Sequence, residues 1–99
     1  MRLDKFLWYA RLARTRSAAQ GVAEARHLRL NGRVIDRAAA GVRVGDTLTF
    51  PLHGHVRVIR IAALPTRRGP APEARACYAD LSPPGGPAAE NVSQESAGD

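Results

Sequence analysis

The dipeptide Asn31-Gly32 stands between Leu28-Arg29-Leu30 and Arg33-Val34-Ile35. From His27 the apolar period is two, with Leu28 and Leu30 on one side and His27 and Arg29 on the other. Asn and Gly both tolerate the positive φ that a type I′ turn requires at its two central positions, and the twist of that turn suits a pair of strands. A tight antiparallel hairpin is therefore expected, and the rest of the fold has to be arranged around it.

Upstream the period is helical. Leu3, Phe6, Leu7 and Ala10 recur at helix spacing, and Asp4 lies where the dipole of a helix start favours an anion. A helix is predicted over about residues 2–13, with Lys5, Trp8, Tyr9 and Leu12 on its other side. A second helix should follow at once, because Thr15 or Ser17 can cap its start; Ser17-Ala18-Ala19-Gln20 has capping-box spacing. Ala18, Ala19, Val22 and Ala23 then form a small-residue stripe that allows close helix approach.

Downstream, Val42 to Asp46 reads as a short extended piece and a turn. Thr47 to Leu52 reads as a strand whose Pro51 suggests an edge or an end, and Val56 to Leu64 as the most apolar strand, with His53-Gly54-His55 between them. Thr66-Arg67-Arg68-Gly69-Pro70 is a basic loop. Residues 73–81 form a short closing element whose type the pattern leaves open; Ala74, Cys77, Tyr78 and Leu81 have the spacing of a helical stripe, which is one option for it. The fold class is α+β, with two N-terminal helices packed on a small, mostly antiparallel sheet. Residues 1–81 are expected to form one domain. Residues 82–99, rich in Pro, Gly and acidic side chains, lack the apolar area to offset ordering entropy and are expected to be a disordered tail.

Charge indicates the partner. All fifteen basic side chains lie at or before Arg75, fourteen of them Arg, and only Asp4, Glu24, Asp36, Asp46 and Glu73 oppose them there. Such an imbalance draws in polyanions, and the guanidinium fork bonds phosphate bidentately. Arg2, Lys5, Arg11, Arg14 and Arg16 lie on and between the two helices, and Arg29 and Arg33 flank the Asn-Gly turn. Arg14 and Arg16 border the start of the second helix, where free N–H groups and the positive dipole end add to their pull on a phosphate. If the helices pack beside the hairpin, these cations share one face. Trp8 and Tyr9 are candidates for stacking on unpaired bases, but packing between elements is the better reading for an aromatic beside Phe6 and Leu7. Asp4 is expected to cap its helix or orient neighbouring cations.

Other chemistries find no support. The single cysteine, Cys77, excludes an internal disulfide and reads as a small buried hydrophobe. His27, His53 and His55 lack the companions of a metal site, so neither metal nor cofactor is expected. No Walker loop, nucleophile elbow or paired carboxylates are present, so no catalytic residue is assigned. The absence of a signal-like segment or a long uncharged apolar run suggests a soluble, cytoplasmic protein with no membrane partner. A monomer is expected.

Arg2-Leu3-Asp4-Lys5-Phe6-Leu7-Trp8, Ala10-Arg11, Thr15-Arg16-Ser17-Ala18-Ala19, Leu28-Arg29-Leu30-Asn31-Gly32-Arg33 and Val44-Gly45-Asp46 together resemble the alpha-L RNA-binding motif named after ribosomal protein S-four. The Leu-Asp-Lys-Phe-Leu-Trp run and the segment Thr66 to Ala74 resemble its bacterial ribosome-associated heat-shock subfamily. The resemblance implies a platform for structured RNA such as rRNA or tRNA. In that subfamily it further implies binding to the large ribosomal subunit in a heat-shock-linked rescue or recycling role. It places Arg2, Lys5, Arg11, Thr15, Arg16, Arg29, Asn31 and Arg33 toward RNA, with Leu3, Leu7, Ala19, Leu28 and Leu30 in the core. The chain departs from the pattern twice. Glu24-Ala25-Arg26-His27 stands where the family has a glycine at the helix exit, and a short acidic tail stands where the subfamily extends as a basic helix. The rival readings are a DNA-binding protein with two helices imitating a helix-turn-helix, and the RNA-binding accessory of an RNA-modifying enzyme.

Overall fold

In the computed structural model, which describes residues 1–52 and 54–82, Asn31 and Gly32 have φ of 53° and 87°. The hairpin is the one expected: β1 (Leu28–Leu30) pairs antiparallel with β2 (Arg33–Ile35), Leu30 opposite Arg33. Three more strands, β3 (Thr47–Leu52), β4 (His55–Ile61) and β5 (Tyr78–Asp80), complete an antiparallel sheet in the order β2-β1-β3-β4-β5. Helices α1 (Leu3–Tyr9) and α2 (Arg16–Glu24) precede the sheet, and a short α3 (Ala71–Arg75) leads into β5.

Strand alternation decides what each face of the sheet carries. Leu28, Leu48, Phe50, Ile59 and Ile61 are buried, as are Leu3, Phe6 and Leu7 of α1 and Ala19 and Ala23 of α2, all in one core cluster. The intervening residues form the opposite, open face, where Arg29 lies directly beside Val34 and Thr49, and Thr49 beside Val58. Pro51 lies in a strand with neighbours on both sides in the sheet order. The pairing of β3 with β1 is confined to Leu48 and Thr49, so at Pro51 only β4 is alongside. The sequence signal for a strand end was sound, and the missing N–H costs no bond to β1.

Helices α1 and α2 each end on a left-handed residue that is not glycine. Helix α1 stops at Tyr9, short of residue 13, because Arg11 takes φ 58°. The Leu12 N–H bonds the Leu7 carbonyl at 2.9 Å and the Arg11 N–H bonds that of Trp8 at 3.1 Å. These are the two bonds of a Schellman turn, and buried Leu7 and Leu12 supply its apolar contact. Leu12 is thereby core rather than the outer face expected of it. Helix α2 starts on Thr15, whose hydroxyl accepts the Ala18 N–H at 3.0 Å, so Ser17 lies inside the helix and the capping-box alternative is not used. Ala18 is exposed; Ala19 and Ala23 carry the close approach to α1. Beyond α2, Arg26 has φ 65°, the conformation its missing glycine would have taken freely.

The chain leaves β4 at Ile61 rather than Leu64, since the Ala62 and Ala63 amides bond the Cys77 carbonyl at 2.8 and 3.1 Å. The closing element, whose type the sequence leaves open, is helix and then strand: α3 ends at Arg75, short of the full stripe, and Tyr78 pairs with Ile61 in β5, closing the exposed edge of β4. Cys77 is buried, and burial followed by the Glu73 charge pushes its thiol up, which suits a packing role. Of the expected tail, Ser82 is bonded to β4, its hydroxyl accepting the Val58 N–H at 3.0 Å; residues 83–99 and His53 lie outside the described residues.

Replacing Arg26 by Gly removes the left-handed strain and, with it, only an exposed ion pair to Asp36 at 3.7 Å. Arg26→Gly is expected to raise the unfolding free energy by about 0.5–1 kcal/mol, read as a higher urea midpoint at unchanged slope.

Candidate nucleic-acid interface

The charged face is built on one buried carboxylate. Asp4, in the first turn of α1, has a side chain with 0% exposure. Its Oδ1 accepts from Arg2 Nε at 3.0 Å and from the Lys5 N–H at 2.8 Å, and its Oδ2 from Arg2 Nη2 at 3.2 Å and Arg16 Nε at 3.4 Å. Burial opposes ionisation. The Arg2 bond, the Lys5 amide and the charges of Arg16 and Arg2 outweigh it and hold the Asp4 carboxyl below its ordinary value of 3.8. The Asp4 N–H donates to the Ala38 carbonyl at 3.1 Å and that of Leu3 to Ala40 at 2.8 Å, which ties the segment to the 38–42 strap. One carboxylate thus serves two guanidinium groups, whose side chains remain 50% and 41% exposed. A net positive charge is left, with donor edges directed to solvent.

The second part of the face comes from the C-terminal half. Arg68 donates from Nε to the Trp8 carbonyl at 3.0 Å and from Nη2 to that of Arg14 at 3.3 Å, while Arg11 Nε donates to the Gly69 carbonyl. These bonds latch the basic loop onto the end of α1, where the negative end of the helix dipole favours a cation. The guanidinium carbons of Arg68 and Arg16 lie 5.7 and 6.0 Å from the centre of the Trp8 ring. Trp8 is half-buried and flanked by two cations, which meets the expectation that it packs between elements and explains how it aligns Arg16. Arg68 was not among the residues singled out for RNA. The Arg-Arg-Gly-Pro run marked it as basic, but its acceptors lie 60 and 54 positions away in the chain.

Arg2, Lys5 and Arg16 are brought together with Arg68 and, in the connection between the helices, with exposed Arg11 and Arg14. Thr15 is engaged as the α2 cap. The Asn31 amide bridges the hairpin to β3, donating to Asp46 Oδ1 at 3.0 Å and accepting the Thr47 N–H at 2.8 Å. Arg33 pairs with Leu30 and so lies on the helix side of the sheet, at its edge. Arg29 lies on the open side with Val34, and the alternation that buries Leu28 puts it there, apart from the helix cluster. Among the described residues no group of three or more His, Cys, Asp or Glu is placed to hold a metal, and no helix is long and apolar enough to cross a membrane.

Residues 1–48 match the model of the S4 domain. This N-terminal stretch is S4-like in sequence. A heat shock protein 15 homolog of Haemophilus influenzae is 36% identical over 78 residues, covering 79% of this chain and 59% of that protein. Heat shock protein 15 of Escherichia coli K12 is 32% identical over 82 residues, covering 83% of this chain and 61% of that protein. The chain thus spans about three fifths of the length of these curated relatives. A solved structure of Vibrio cholerae heat shock protein 15, a trimer, matches with a TM-score of 0.76 at 29% identity, covering 95% of this chain and 87% of that one.

The lowered Asp4 pKa contributes stability that is present above the ordinary value of 3.8 and lost as pH falls through the folded value below it. Asp4→Asn is expected to lower the unfolding free energy at pH 7 by about 1–3 kcal/mol and to shrink the loss of stability between pH 5 and pH 3, both measured by urea unfolding.

Proposed function

We propose that the chain is a non-enzymatic protein that binds structured rRNA or tRNA, and that it does so on the large ribosomal subunit in a heat-shock-linked rescue or recycling role. The observation that carries the RNA-binding part is the clamp of Arg2 and Arg16 on buried Asp4, which holds two guanidinium edges outward beside the first amides of α2. Preset donors lose little freedom when a phosphate arrives, and helix-start amides add to their field. Lys5, Arg14 and Arg68 extend the cationic face, and recognition is by backbone shape and charge rather than by a base code. The ribosomal context is supported by the resemblance to the heat-shock subfamily and by relatives that carry the heat shock protein 15 name. The reading uses one chain's face and holds for a monomer or a trimer alike. Duplex DNA presents the same phosphates, and competition between it and structured rRNA separates the two partners.

If about five to seven phosphates are neutralised, log K is expected to fall with log salt at a slope of about −4 to −6. A slope near zero in filter binding removes the electrostatic mechanism. Arg16→Ala is expected to weaken RNA binding by about 1–3 kcal/mol, whereas Arg60→Ala, on the open sheet face, changes it by less than about 0.5 kcal/mol. Equal losses for the two variants, measured on the same RNA, count against the helix-side face.

A further inference from the structure

Beside the clamp, α1 and the segment leaving β4 enclose a groove of about 500 Å³, lined by Arg2, Lys5, Tyr9, Leu64, Pro65 and Thr66. Its volume is in the range of about 300–1,000 Å³ usual for small-molecule sites. The lining has two characters. Arg2 and Lys5 bring positive charge from the start of α1, and Tyr9, Leu64 and Pro65 form an apolar wall. Leu64 is 37% exposed and is absent from the core cluster, so packing does not account for it. The bonds of Ala62 and Ala63 to the Cys77 carbonyl take the chain off β4 just before it.

The two adjacent aromatics are treated differently. Trp8 is flanked by Arg16 and Arg68, whereas Tyr9 lines the groove with the Lys5 ammonium 5.5 Å from its ring centre. A continuous RNA helix presents phosphate and ribose and keeps its bases stacked inside, so it offers nothing to an apolar, aromatic wall. An unpaired nucleotide offers both a flat face and a phosphate.

We propose that this groove receives a single unpaired nucleotide of a structured RNA, its base against Tyr9, Leu64 and Pro65 and its phosphate held by Arg2 and Lys5. The inference rests on the RNA-binding reading and adds to it a preference for bulged or looped RNA over an uninterrupted helix.

Two end-labelled RNA duplexes of one sequence, each annealed from two separate strands, one continuous and one carrying a single bulged 2-aminopurine, test it by anisotropy and by 2-aminopurine emission. The protein is expected to bind the bulged RNA about tenfold more tightly, with quenching of the bulged base. In Tyr9→Leu and Leu64→Asn the ratio of the two Kd values is expected to fall close to one, and the quenching to be lost. Leu64 is exposed, so its variant keeps the test in force if Tyr9→Leu does not fold. Equal affinity of the unmodified protein for the two RNAs, or a preference retained in Leu64→Asn, overturns the groove while leaving the RNA-binding reading intact. Absence of binding to either RNA at low salt overturns both.

Discussion

The buried carboxylate of Asp4 and its two arginines set the geometry on which the rest of the charged face depends. An ionised group with no solvent exposure is tolerated only when partners replace its hydration, and here Arg2, Arg16 and the Lys5 amide do so. Arg2 lies just before α1 and Arg16 begins α2, so the same bonds that satisfy the carboxylate fix the start of one helix against the start of the other. Two guanidinium groups share a single negative charge, and the excess is directed outward. A structural requirement and a binding surface are therefore met by the same atoms.

The latch of the basic loop depends on that arrangement and reinforces it. Arg68 reaches two carbonyls at the end of α1 and in the connection to α2, and Arg11 reaches back to Gly69. The S4 match ends at residue 48, yet the face it contributes is completed by a loop from beyond it. Trp8, between Arg16 and Arg68, is where the two parts meet, its ring serving as the surface on which both cations are aligned.

Much of the architecture was legible because it depends on local backbone chemistry. Asn31-Gly32 specified a turn that few other dipeptides can make, Thr15 offered a cap, and the period of two placed Leu28 toward the core and Arg29 away from it. Helix ends were less legible. Arg11 and Arg26 are left-handed without being glycine, and nothing in an arginine announces that conformation. It is imposed by the buried Leu7 and Leu12 contact in one case and by the entry into β1 in the other. The sequence leaves the closing segment open for a related reason: its helical spacing holds only as far as Arg75, and the open edge of β4 draws Tyr78 into a strand.

By itself the sequence determined the first two helices, the hairpin, the two longer strands, their order and the concentration of cations in the N-terminal three quarters, since these follow from period, turn chemistry and composition. Only the tertiary structure decided which cations stand together. Thr15 and Asn31 were drawn into local hydrogen bonds, Arg29 was sent to the other side of the sheet, and Arg68 was brought in from far along the chain. Charge is a property of a residue wherever it stands, but a binding face needs several charges within a few ångströms of one another. That proximity comes from packing contacts between segments some sixty positions apart, which no local pattern encodes.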